Sequence, residues 1–177
     1  MSVESHWRPF FLNPGLPEAG VEKKDYYRQK FGAARAQGLE ANMKQVFASE
    51  GLDFVLGGKT GPTMNSHRLI AYAGTFGAEK QHALVEELMR NYFSEEKFLN
   101  DPDVLINAAK KVGLPEAEKI VKDPTAYRDQ VMQEYQTYAQ GISGVPHFLI
   151  SSGSKTIELS GAQDPDTIAN AINQVIA

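Results

Sequence analysis

The stretch GISGVPHFLISSGSKTIELSGAQ, Gly141 to Gln163, decides how this chain is read. It opens on Gly-Val-Pro, passes through a short apolar run and closes on Ser-Gly-Ala-Gln. VPHFLIS and KTIELS read as two strands. Ser152-Gly153-Ser154 between them is a hairpin signal. The chain then reads DPDTIANAINQVIA, with Asp164 placed to cap a helix and Pro165 in its first turn. Ile168, Ala171, Ile172 and Val175 fall on one stripe of that helix, which packs it on the sheet. The ending is therefore strand, strand, helix.

Upstream the pattern is helical. VEKKDYYRQKFG and AARAQGLEANMKQVFASEG read as two helices, the second ending near Gly51. LDFVLGGKTGP (Leu52–Pro62) is glycine-rich and reads as a loop. From Thr63, Leu69, Tyr72, Ala73 and Phe76 follow the spacing of one buried helical face, and Leu84, Val85, Leu88, Tyr92 and Phe93 mark the next. NDPDVLINAAKKVGL starts a further helix, a short one follows from Pro115, and a longer one runs from Thr125 to Gly141 with Tyr127, Val131, Tyr135 and Tyr138 on a stripe. At the other end, VESHWRPFFL (Val3–Leu12) has the aromatic and branched content of a strand, with Pro9 placing it at an edge or bulge. NPGLPEAG links it to the helices. The order is strand, helical block, strand–strand–helix. Such a block is too long for a crossover, so the fold class expected is α/β, with an inserted all-helical lobe (15–140) and a discontinuous sheet lobe (1–14 and 141–177).

Composition narrows the function. The chain has 177 residues, 42% of them hydrophobic and 23% charged, with a net charge of −4. That acidic balance lacks the basic face a nucleic-acid partner requires. No apolar run approaches the roughly 18 residues of a membrane span, and the N-terminus has no secretory pattern. A cytoplasmic location is the expectation. The chain contains no cysteine, so it offers no thiolate of its own.

Together, WRPFFLNP (Trp7–Pro14), HRLI (His67–Ile70), GVPHFLI (Gly144–Ile150) and SGAQ (Ser160–Gln163), in this order around a helical insertion, resemble the DsbA-like thioredoxin family, most closely its FrnE-like branch. 2-Hydroxychromene-2-carboxylate isomerase and kappa-class glutathione transferases are related to it. The resemblance spans essentially the whole chain and implies a thioredoxin-like fold. In that family a strand and helix precede the equivalent of Trp7–Pro14 and carry a Cys-x-x-Cys, or a serine in the isomerase and transferase branch. Here the chain begins a few residues before that point, and the unit is absent. Gly61-Pro62-Thr63 stands where the family usually has Pro-Asn-Thr, and His147 where it more often has Thr, Phe or Tyr.

Without that first strand the sheet would expose backbone groups that need partners. Val3–Leu12 pairing directly with His147–Ser151 is one solution. A second copy covering the edge, as a homodimer, is another and is favoured by the apolar face left bare. Truncation of a longer chain is a third.

The resemblance implies a cis bond before Pro146, with the Val145 backbone facing a peptide or glutathione; a turn kept only for the fold is the competing account. Ser160, Gly161, Ala162 and Gln163 lead into a helix N-terminus, whose free N–H groups favour an anion. In glutathione-using relatives this region holds the γ-glutamyl end; capping by Asp164 competes with it here. His147 and His67 are the candidate acid–base groups, since imidazole moves protons near neutral pH. Trp7 reads as core and Arg8 as a surface ion pair. His82 and Glu86 lack a third metal ligand.

Three functions follow. The first is a redox-inactive member of an oxidoreductase family, binding a small molecule or peptide in the cleft between sheet and helical lobe. The second is an isomerase or cyclase acting on an aromatic or polyketide-like molecule through histidine chemistry. The third is a dimeric binding or scaffold protein. No cofactor is expected, glutathione being the one candidate.

Overall fold

The structure, a computed structural model, describes residues 3–177. Its elements are β1 (Val21–Glu22), α1 (Lys23–Phe31), α2 (Ala33–Ser49), β2 (Lys59–Thr60), α3 (Met64–Gly74), α4 (Ala78–Phe93), α5 (Pro102–Lys111), α6 (Ala117–Lys122), α7 (Arg128–Tyr138), β3 (His147–Ser152), β4 (Lys155–Ser160) and α8 (Pro165–Ile176). The helices fall within the stretches that the sequence reads as helical.

The core belongs to α3–α6. Leu69, Tyr72 and Ala73 of α3 meet Leu84 and Leu88 of α4, Leu105, Ala108 and Ala109 of α5, then Leu114 and Ala117. Phe76, expected on the same stripe, lies past the end of α3 and is 47% exposed. Buried Arg68 closes the far side of this core. Its guanidinium donates to the carbonyl oxygens of Ile120, Asp123 and Ala126 at 3.1, 2.6 and 3.0 Å. It thereby satisfies carbonyls at the end of α6 that have no helical partner.

α1 and α2 pack on each other beside the small β1–β2 ladder, in which Val21 pairs with Thr60 and Glu22 with Lys59. Thus the loop expected over Leu52–Pro62 contributes one short strand. Gly20, with φ +71°, precedes it where a Cβ would meet the Phe98 ring at 2.7 Å. Both the backbone conformation and the space require glycine there. Lys23, 2% exposed, donates its ammonium to the Tyr92 carbonyl at 2.7 Å and lies over the Tyr92 ring.

β3 and β4 form the expected hairpin, with Gly153-Ser154 as its two-residue loop. Gly153 takes φ +57°, the left-handed conformation that such turns demand. The Gly161 N–H donates to the Pro146 carbonyl at 2.9 Å, which fixes the ladder's phase. Phe148–Leu159, Ile150–Ile157 and Ser152–Lys155 are then the hydrogen-bonded pairs. The backbone groups of His147, Leu149 and Ser151 point the other way, to the open edge. α8 covers one face of the hairpin, burying Ala171 and Val175. Asp164 caps it by accepting from the Thr167 N–H at 2.9 Å.

The N-terminal expectation is corrected. Val3–Leu12 forms no strand among the described residues, and none of its described backbone hydrogen bonds reaches β3. Instead side chains of the helices take its polar groups. The Trp7 N–H and carbonyl both bond Gln81 of α4, and the Phe10 carbonyl accepts from His67 of α3. Pro9, buried within this segment, has no N–H to offer a ladder.

Candidate functional site

A recess of about 280 Å³ is walled by Gly141–His147 with Ser160 and Gly161. It lies where the loop after α7 enters β3. The Val145–Pro146 peptide is cis. Val145, in the bend just before β3, is 52% exposed. Five of the residues singled out from sequence meet here: Val145, Pro146, His147, Ser160 and Gly161. Ala162 and Gln163 do not line the recess. Gln163 turns back, its amide donating to the Ser160 carbonyl at 2.8 Å. Asp164 takes the α8 N-terminus, so the anion site expected there is already held by the chain's own carboxylate.

His147 begins β3 opposite Ser160, and its Nδ1 lies 3.0 Å from Ser160 Oγ. Its Nε2 is shielded from solvent without a hydrogen-bond partner and faces Glu158 Oε2 at 3.7 Å. Glu158 was not among the residues picked out from sequence. The signal was present: it is two residues before Ser160, hence on the same face of β4.

His67 is elsewhere. It lines a void of about 10 Å³, room for roughly one water, together with Trp7, Pro9, Ile70, Ala71, Val131 and Glu134. Its Nε2–H donates to the Phe10 carbonyl at 3.2 Å, and Phe11 packs edge-on against the ring. Burial pushes its pKa down to about 4, the Phe10 hydrogen bond opposing only in part. The two histidines thus do not share a cavity, and His67 is neutral at physiological pH.

Three other expectations find their places. Trp7, read as core, is 38% exposed and stacks on His82, to whose Nδ1 its indole N–H donates at 3.2 Å. Arg8 forms the expected ion pair, with Glu134 at 3.2 Å, and lies over Tyr138. Among the described residues no cluster of three or more metal-ligating side chains occurs, and no helix is long and apolar enough to cross a membrane.

A helical lobe set before a cis-proline loop, a hairpin and a covering helix defines a thioredoxin-like domain of the type that carries a helical insertion. The chain belongs to the DSBA-like thioredoxin domain family, whose model matches residues 1–173. A solved structure from Nitrosomonas europaea, described as a putative protein disulfide isomerase, superposes with a TM-score of 0.60 at 19% identity. The match covers 82% of this chain and 72% of that one. No curated protein matches this sequence.

Proposed function

We propose that this DSBA-like domain, of the FrnE-like branch, binds an extended peptide or a small molecule such as glutathione in the Val145–Pro146 recess. It does so without thiol chemistry of its own. The open edge of β3 carries the reading. His147, Leu149 and Ser151 present backbone donors and acceptors in a row leading from the recess, the arrangement to which an extended backbone adds as one more strand. With no cysteine in this chain, no turnover is expected from it in an insulin-disulfide reduction assay.

The test is a heteronuclear NMR titration with glutathione and with an extended peptide. Shifts confined to Val145, His147, Leu149, Ser160 and Gly161 are expected. Shifts scattered over the helical lobe, or none at millimolar ligand, would remove this reading. An isomerase acting through His147 would use the same recess, but His67 contributes nothing to it.

The edge also favours a second occupant, another copy of the chain. His147, Leu149 and Ser151 are symmetric about Leu149, so two antiparallel β3 strands pair every outward group. Val145 and Leu149, 52% and 45% exposed, would be covered. Sedimentation velocity across a concentration series separates this homodimer from a monomer that binds peptide.

A further inference from the structure

The hairpin face turned away from α8 gathers three side chains into one line. His147 and Ser160 are directly opposed at a non-hydrogen-bonded position of the ladder, where side chains approach most closely. Ser160 Oγ is 3.0 Å from His147 Nδ1, and Glu158 Oε2 is 3.7 Å from the other ring nitrogen. The imidazole is sunk between its neighbours, its side chain 11% exposed. Ser160 is exposed and opens onto the recess. Hydroxyl, imidazole and carboxylate therefore stand in the order that activates a serine for attack on an acyl group, with the two ring nitrogens exchanged relative to the common protease arrangement.

We propose that Ser160 is a nucleophile with His147 as its general base, and that the recess takes small acyl esters as substrates. Glu158 is a positioning residue. Its carboxylate faces the shielded Nε2 and favours the tautomer with the proton there, leaving Nδ1 free to accept. Ser160 Oγ adds to the ester carbonyl as its proton passes to Nδ1. The tetrahedral adduct collapses by breaking the bond to the leaving alcohol, which takes that proton. Water then repeats the sequence on the acyl-serine, releasing the acid and restoring Ser160. No oxidant, metal or cofactor enters the balance. This assignment rests on the recess being the ligand site, and it adds a reaction there.

The experiment treats the purified chain with a fluorophosphonate probe and with p-nitrophenyl acetate, locating the adduct by peptide mass spectrometry. Labelling at Ser160 is expected. It should be abolished in Ser160→Ala and fall about 100-fold in His147→Ala, the scale of a lost general base. Ser151, on the same face without an opposed histidine, serves as the control and should stay unlabelled. Glu158→Gln should lower kcat with KM unchanged, and Glu158→Asp should recover part of it. No adduct on folded protein, or equal labelling of Ser151 and Ser160, would overturn the assignment. The glutathione and peptide titrations, run on the wild type, keep the two readings apart. Retained binding without any labelling of the wild type sinks the nucleophile alone. Labelling without peptide or glutathione binding sinks the binding reading alone.

Discussion

Trp7 and Gln81 are joined by a pair of hydrogen bonds, the Trp7 N–H donating to Oε1 at 2.9 Å and the Gln81 amide donating to the Trp7 carbonyl at 3.2 Å. The side-chain amide does for Trp7 what a neighbouring strand would have done. It presents one donor and one acceptor to the two backbone groups of Trp7, so the segment is held without joining a sheet.

Replacing Gln81 by Leu leaves both Trp7 groups without a protein partner. Gln81 is 4% exposed, so the site is not simply wetted. A loss of about 1–3 kcal/mol in urea unfolding is expected. Trp7 is the only tryptophan, so its fluorescence should report release of the N-terminal segment before the helical core unfolds. A variant whose emission and stability both match the wild type would show that the pair holds nothing.

His67 makes stability fall in mild acid. Its folded pKa is about 4 against an ordinary 6.5, because burial disfavours the imidazolium. Between these values the unfolded chain binds the proton and the folded one does not. The stabilising difference is whole above pH 6.5 and drains away as pH falls toward 4, by up to about 3 kcal/mol. His67→Gln should flatten that part of the pH dependence of the urea midpoint. An NMR titration placing the His67 pKa above 6 would defeat the account.

Lys23 acts at the alkaline end. Its burial lowers the pKa from 10.5 to about 8, with Glu96 opposing. From pH 8 to 10.5 the unfolded chain holds more protons, so this residue makes stability rise with pH, by at most about 3 kcal/mol. Lys23→Met should remove the rise between pH 8 and 10 while leaving the trend below pH 7 intact. A wild-type midpoint that is flat over this range, with an equally flat variant, would contradict it.

The β3 ladder predicts alternating hydrogen exchange. The amides of Phe148, Ile150 and Ser152 face β4 and should be protected; those of His147, Leu149 and Ser151 face the open edge and should exchange fast in the free monomer. A strand added by a peptide or a second copy slows the second set at least about tenfold, while Leu149→Lys restores fast exchange by opposing edge pairing. Slow exchange at all six amides in dilute monomer would mean that the edge is already covered from within.

The local signals were legible in the sequence because their causes lie within a few residues. The Gly153-Ser154 turn sets the hairpin, Asp164 and Pro165 start α8, and apolar periodicity marks the helices of the lobe; each is decided by nearby backbone geometry. The resemblance in Gly144–Ile150 and Ser160–Gln163 likewise located the recess. What sequence alone could not supply were partners distant along the chain. Val3–Leu12 has the composition of a strand, yet Gln81 and His67 satisfy its backbone from 74 and 57 residues away. Those contacts exist only once α3 and α4 have packed. The same packing buries His67, makes it neutral and removes it from His147, although both are histidines of equal promise in the sequence. Strand register then set His147 against Ser160 and beside Glu158. Residue types and turns thus determined the elements and the place of the recess. Long-range hydrogen bonding and burial decided which of its residues meet, because the charge state and partners of a side chain depend on what the folded chain brings within a few ångströms.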